Sequence, residues 1–175
     1  IYKNIKIMKL LKNFFTIVMV ISLTACSSDD SVPYELNNTN LSAGSFDLTY
    51  FNSYTTATVD INGLEITSEF SATGETFQYT ITFFENGTYI ADGQYVVNET
   101  TTVAGQITEQ DTYIVDEDNE QGTYVANNDV MQLVLDDDVF DIILFNANEL
   151  RISLNNMYTE EGVDFLQTGE IRMVR

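Results

Sequence analysis

Apolar and polar residues alternate along most of this chain, and this period of two is the feature that most limits how the chain can fold. Successive side chains of a β-strand point to opposite faces, so a strand with one buried face shows such an alternation. Residues 77–83 and 131–135 show it clearly, whereas no segment after Leu41 keeps the 3.6-residue apolar period of a helix. The sequence therefore predicts an all-β body that begins at Leu41.

Turn residues divide the alternating segments into short strands. Asn62-Gly63 ends one strand, Asn86-Gly87 predicts a type I′ turn inside a hairpin, and residues 136–138 predict a third turn. Gly93 predicts a bulge or a close approach of two backbones. The predicted strands are residues 46–50, 57–61, 77–84, 88–97, 111–115, 122–126, 131–135, 140–144, 150–154 and 171–173, with 64–70 a strand or a cap and the polar residues 98–110 a long loop.

About eight to ten antiparallel strands joined by short hairpins favour an up-and-down barrel, because closing the sheet removes unpaired strand edges. A barrel of this size either holds one small ligand or fills its interior with side chains. A β-sandwich stays open as the alternative fold. Aromatic residues of the strands are candidates for core packing or for lining a ligand cavity: Phe77, Tyr79, Phe83, Tyr89, Tyr95 and Tyr124.

The charge balance and the missing residue types exclude several classes of function. The chain has no histidine and one cysteine, which excludes a Ser-His-Asp triad, a Cys-His nucleophile, an internal disulfide and a Cys/His zinc site. All four lysines precede Cys26, which leaves three arginines against 27 carboxylates in the rest of the chain. Nucleic-acid partners are not expected, because phosphate binding needs clustered basic residues.

Two uses of the many carboxylates stand as hypotheses. Asp116, Asp118 and Glu120 lie in a dense acidic segment that predicts a solvated turn or a calcium site, since Ca²⁺ prefers oxygen ligands. A carboxylate pair can also hydrolyse glycosides, but no local motif singles out such a pair. We therefore expect no enzyme and no catalytic residue, and no cofactor apart from this candidate calcium site.

The residues up to Cys26 resemble the signal of a bacterial lipoprotein. Lys9 and Lys12 bound a short basic region, and residues 14–23 form an apolar segment too short for a permanent membrane helix. Leu23-Thr24-Ala25-Cys26 resembles a lipobox, in which cleavage precedes a cysteine that receives a diacylglyceryl group and an acyl chain such as palmitate. We expect a signal helix over residues 1–25, with Met8 as a candidate start, and lipidation at Cys26.

Residues 26–40 are rich in Ser, Asp, Asn and Thr, which predicts a flexible, lipidated tether. Ser27 after the cysteine resembles the residue that directs lipoproteins to the outer membrane, and Asp29-Asp30 resembles the surface-export signal of Bacteroidetes lipoproteins. Asp30-Ser31-Val32 resembles the O-glycosylation site of those bacteria, with Ser31 as acceptor. These resemblances imply a protein that its lipid anchors to the outer membrane, and the export signal would place it at the cell surface.

The body, residues 41–175, resembles the lipocalin-like domains of Bacteroidetes lipoproteins. The resemblance rests on the order of the motifs at residues 44–48, 81–89, 122–124 and 131–133. Those domains usually open with Gly-x-Trp, whose Trp closes one barrel end beneath a basic residue from the last strand. Here Phe46 replaces the Trp, and Arg172 or Arg175 is the candidate basic residue. The resemblance implies a barrel that binds a small, partly apolar ligand or, if its core is filled, a surface module that contacts a neighbouring protein.

Overall fold

The computed structural model describes residues 34–160 and 163–175, which form eight antiparallel strands that close into a barrel. Each strand pairs with the next one in the chain, and the last pairs with the first. This confirms the predicted all-β, up-and-down barrel and excludes the β-sandwich. The strands are β1 (Phe46–Ile61), β2 (Leu64–Phe83), β3 (Thr88–Val103), β4 (Gln106–Asn127), β5 (Gln132–Leu135), β6 (Asp138–Phe145), β7 (Glu149–Glu160) and β8 (Val163–Val174).

Two of the hairpins have two-residue loops in which both residues have a positive φ. They are Asn62-Gly63 (φ 58° and 83°) and Ala104-Gly105 (φ 50° and 77°), the combination that type I′ turns require. The type I′ turn predicted at Asn86-Gly87 is wrong, because only Gly87 of this pair has a positive φ. There the Gly87 N–H donates to the Phe84 carbonyl at 3.0 Å, and the loop is longer.

The long loop predicted over residues 98–110 is also wrong. This segment belongs to β3 and β4, which pair from Val103 with Gln106 onward and turn at Ala104-Gly105. The predicted separate strands 111–115 and 122–126 are both parts of β4. The acidic segment between them is a bulged part of that strand, since the pairing with β3 shifts beside Asn119, whose φ is 52°.

Gly93 marks the close backbone approach that the sequence predicts. Its φ is 103°, and a Cβ atom there would lie 1.9 Å from the Gln78 carbonyl oxygen of the neighbouring β2. The β3–β4 register shifts between Ala91 and Gly93. A glycine is required here, because any side chain would collide with the adjacent backbone.

The hydrophobic core lies at the barrel end where β1 begins, which we term the closed end. Phe46, Leu133 and Leu150 are completely buried there. A short helix, α1 (Asn38–Leu41), covers this end, and its Leu41 belongs to the same core. The folded unit begins at Tyr34, earlier than the start at Leu41 that the sequence predicts, so it includes the last residues of the predicted tether.

The barrel wall is uneven because β5 and β6 are much shorter than their neighbours. β5 pairs with β4 only over the four residues from Tyr124 to Asn127, and β6 pairs with β7 only as far as Ser153. Among the described residues, β4 beyond this point pairs only with β3, and β7 only with β8. We term the opening between residues 106–122 of β4 and residues 154–159 of β7 the wall gap.

Candidate ligand-binding cavity at the open end

The closed end is filled by aromatic side chains and so cannot hold a ligand. The Phe83 and Tyr124 rings meet edge to face at 4.9 Å between centroids, and Phe46 meets Phe83 at 6.1 Å. The Tyr124 hydroxyl donates to the Phe84 carbonyl at 2.7 Å, which satisfies the polar end of a buried ring. The floor of the barrel is therefore packed.

Arg175 covers Phe46 from outside the barrel. Its guanidinium carbon lies 4.0 Å from the centre of the Phe46 ring, and its nitrogens donate to the Asn40, Leu41 and Ala147 carbonyls. Of the two arginines proposed as the basic residue beneath which an aromatic closes the barrel, Arg175 is thus the one in place. Arg172 lies instead over Tyr50, at 4.6 Å from the ring centre.

A second polar contact fixes the β5–β6 turn against the wall. Asp136 accepts hydrogen bonds from the Thr123 N–H at 2.8 Å and the Tyr89 hydroxyl at 2.9 Å. The bond from Thr123 contributes most, and that from Tyr89 next, to holding the pKa of Asp136 below its usual value. Burial, followed by the bond to Asp136, raises the pKa of Tyr89 to about 12. Gly122 makes the contact possible, because a Cβ there would lie 2.5 Å from the Tyr89 ring.

Above the packed floor lies a small inner cavity of ≈ 120 Å³ whose lining includes Tyr79, Tyr95, Phe51 and Phe140. The Tyr79 and Tyr95 rings meet edge to face at 5.6 Å. Burial, and then the negative charge of Glu117, raises the pKa of Tyr79 to about 12. The middle of the barrel is therefore aromatic and uncharged at neutral pH.

Two larger cavities lie towards the opposite end of the barrel, which we term the open end. The gap cavity (≈ 630 Å³) lies along β6, β7 and β8, and the hairpin cavity (≈ 390 Å³) is lined by residues of β1, β2, β3, β4, β7 and β8. They share Phe51, Tyr158 and Gln167, and the gap cavity also shares Phe140 and Ile171 with the inner cavity. The three spaces thus share walls, and both larger ones are in the range typical of small-molecule sites, roughly 300–1,000 Å³.

The lining of the hairpin cavity combines five aromatic residues with four polar ones, which are Ser53, Thr55, Glu99 and Gln167. Tyr158 and Phe165 stack with a centroid distance of 4.9 Å and an interplanar angle of 8°. Gln167 donates to the Ser53 hydroxyl at 3.1 Å, and Tyr113 donates to the Glu99 carboxylate at 3.5 Å. Apolar walls with few polar groups are the usual composition of a ligand site.

The six aromatic residues proposed from the sequence lie at different depths in the barrel. Phe83 and Tyr124 are in the packed floor, and Tyr89 borders it through its contact with Phe83. Tyr79 and Tyr95 line the inner cavity, and Phe77 packs on Tyr95 at 6.0 Å. The aromatic residues of the larger cavities were not singled out from the sequence: Phe51, Phe70, Tyr113, Phe140, Tyr158 and Phe165.

The candidate calcium ligands are spread along strand β4. Asp116 pairs with Gln94 and Glu120 with Ala91 along a continuous strand, with the bulge containing Asp118 between them. In residues 34–160 and 163–175, no three His, Cys, Asp or Glu side chains are grouped so that they could hold a metal ion. The geometry gives the calcium hypothesis no support.

The signal, lipidation and glycosylation predictions, including those for Cys26 and Ser31, lie outside the described residues. Within the described residues, no helix has the length and apolar character needed to cross a membrane. No protein-family model, curated protein or solved structure matches this chain. The barrel and its cavities therefore carry the functional argument.

Proposed function

We propose that this protein is a non-catalytic lipoprotein of the outer membrane whose lipocalin-like barrel binds a small, partly apolar molecule. The observation that carries the proposal is the pair of adjoining cavities at the open end, which share Phe51, Tyr158 and Gln167. Aromatic rings contribute to the walls of both cavities, and each Å² of apolar ligand surface buried there would contribute about 25 cal/mol. The packed floor below them would keep the ligand at the open end.

The proposal predicts that the full-length protein, purified without denaturation, carries a small molecule. Organic extraction of the purified protein, followed by mass spectrometry, would identify a molecule that a mock purification lacks. Ala72→Trp is the informative variant, because Ala72 lines the hairpin cavity and an indole there would fill it. Thr73→Trp is the matched control, since Thr73 is the next residue of the same strand and is exposed on the opposite face.

We expect the extracted molecule to disappear from Ala72→Trp and to remain in Thr73→Trp. A wild-type protein that releases no small molecule would contradict ligand binding. It would favour the alternative of a filled surface module that contacts a neighbouring protein, for which the packed closed end is the supporting observation.

The anchoring part of the proposal rests on Leu23-Thr24-Ala25-Cys26 and the apolar segment before it. Two or more acyl chains convert weak membrane contact into stable attachment, since each buried methylene contributes about 0.8 kcal/mol. Cells fed a clickable palmitate analogue should label the wild type and Ser27→Ala but not Cys26→Ala. Label retained by Cys26→Ala would refute the anchor, and protease treatment of intact cells would distinguish surface from periplasmic orientation.

A further inference from the structure

We propose that the open-end cavities select an organic cation, in which an ammonium group is attached to an apolar, preferably aromatic, body. This inference rests on the proposed function, because it names the chemical class of the ligand for the same site. It follows from the positions of the basic residues, the charge of the lining and the aromatic walls.

The basic side chains of the described residues all lie away from the cavities. Arg151 pairs with Glu149 at 2.6 Å, Arg172 pairs with Glu170, and Arg175 covers Phe46 at the closed end. The residues that line the two larger cavities include no lysine, arginine or histidine. A ligand carboxylate would therefore enter a partly dehydrated space without a counter-charge, which is unfavourable.

The lining instead supplies negative charge. Glu99, which is half-buried, faces the hairpin cavity from β3, and Asp138 faces the gap cavity from β6. Glu99 lies directly opposite Asp111 in the β3–β4 pairing, and like charges directly opposite each other destabilise a sheet. An ammonium group beside Glu99 would neutralise one of these charges and relieve that repulsion.

The walls around Glu99 suit a cation as well as an apolar body. Tyr113 reaches the Glu99 carboxylate with its hydroxyl, and Phe70, Phe165 and Tyr158 line the same cavity. An ammonium group over the face of an aromatic ring gains cation–π attraction, and the gain grows when the site excludes water. Several rings beside Glu99, with Asp111 opposite it, therefore form a better site for an alkylammonium than for a neutral or an anionic molecule.

Three probes with the same aromatic body test this inference: naphthylmethyl-trimethylammonium, naphthylmethanol and naphthylacetate. Each is titrated by calorimetry into the full-length protein in phosphatidylcholine nanodiscs, with empty nanodiscs as the blank. We expect the ammonium probe to bind about tenfold more tightly than the alcohol, and the carboxylate to bind least.

Glu99→Gln should weaken binding of the ammonium probe about fivefold and leave binding of the alcohol unchanged, since it removes one carboxylate from the cavity lining and keeps the size of the side chain. Glu65→Gln is the matched control, because it removes the same charge from an exposed position beside the turn between β1 and β2. It should change the affinity of neither probe. Circular dichroism establishes that both variants are folded.

Equal binding of the three probes, or equal loss in Glu99→Gln and Glu65→Gln, would overturn the cation preference and leave ligand binding intact. Binding of none of the probes would also overturn it. The proposed function has its own test and fails if the purified wild-type protein releases no small molecule.

Discussion

The guanidinium of Arg175 and the ring of Phe46 form a stacked pair at 4.0 Å that closes one end of the barrel. Phe46 is fully buried. The Arg175 guanidinium that covers it donates hydrogen bonds to the backbone carbonyls of Asn40, Leu41 and Ala147. One side chain thus joins the chain terminus, helix α1 and the first strand. Replacing it tests how much of the stability resides at this end.

We expect Arg175→Ala to lower the free energy of unfolding by roughly 2–4 kcal/mol, because it removes charged hydrogen bonds and a cation–π contact together. Arg175→Lys should recover less than half of the loss, since an ammonium cannot reproduce the planar fork of donors. Urea unfolding measures both. Arg151→Ala is the control, because Arg151 forms a partly exposed ion pair with Glu149, and its loss should change the free energy of unfolding little. Equal losses for the two alanine variants would contradict the assigned role of Arg175.

Gly122→Ala should destabilise the barrel by about 1–3 kcal/mol, as overpacking of a tight contact does. The new Cβ would lie 2.5 Å from the Tyr89 ring and 2.6 Å from the Asp136 carboxylate, so it would separate these two groups. Gly44→Ala is the matched control, since its Cβ would meet the nearest atom of Arg175 at an ordinary 3.5 Å. In a Tyr89→Ala background most of the Gly122→Ala effect should vanish. If Gly122→Ala kept its full effect in that background, the destabilisation would not arise from the contact with Tyr89.

The Asp136 contacts predict a specific dependence of stability on pH. The pKa of Asp136 is lower in the folded chain than its ordinary value of 3.8, so its stabilising contribution is present above that value. The contribution is lost as the pH falls through the lowered folded-state pKa. The stability difference between wild type and Asp136→Asn should therefore shrink as unfolding is measured at progressively more acid pH. Asp137→Asn, at the exposed neighbouring position, is the control, and a pH-independent difference for Asp136→Asn would refute the linkage.

Tyr79 predicts a loss of stability in alkali. Its pKa is about 12 in the folded chain against an ordinary 10.0, so the unfolded chain releases the proton first as the pH rises. This contribution of Tyr79 to stability is complete below its ordinary pKa of 10.0 and is lost as the pH rises through the folded-state pKa of about 12. Over this pH range Tyr79→Phe should therefore lose less stability than the wild type. Glu117→Gln should lower the pKa of Tyr79 in a tyrosinate absorbance titration, whereas Glu65→Gln should not. An unchanged titration in Glu117→Gln would contradict the proximity of this charge.

The sequence predicted those parts of the barrel in which one face of a strand is buried. Residues 77–83 and 131–135 alternate because every second side chain enters the core, where Phe83 and Leu133 are almost completely buried. The contact of Phe46 with an arginine was expected only from the resemblance to lipocalin-like domains, which left Arg172 and Arg175 both as candidates. The structure places Arg175 over Phe46.

The outer halves of the long hairpins could not be predicted in this way. Residues 106–110 of β4 are exposed on both faces, so no apolar alternation marks them, and their glutamines, Thr108 and Glu109 resemble a loop. The turn at Ala104-Gly105 was equally hard to recognise, because alanine rarely adopts a positive φ.

The cavity residues were missed because their proximity depends on strand register. Phe70 and Phe165 lie far apart in the sequence, and they meet at the same cavity only because both pair with β1, opposite Thr55 and Ala57. Periodicity within one segment places a side chain on a face. It does not indicate which side chains of other strands share the space in front of that face.

The short β5–β6 hairpin has a consequence for how copies of this protein behave towards one another. Among the described residues, the edge of β4 that faces away from β3 pairs with no strand over residues 106–122. Such a free edge can recruit a strand from another molecule. That edge is rich in carboxylates, which include Glu109, Asp111, Asp116 and Glu120. Two such acidic edges repel each other. The acidity of this strand therefore opposes edge-to-edge pairing between copies of the protein and protects it against aggregation.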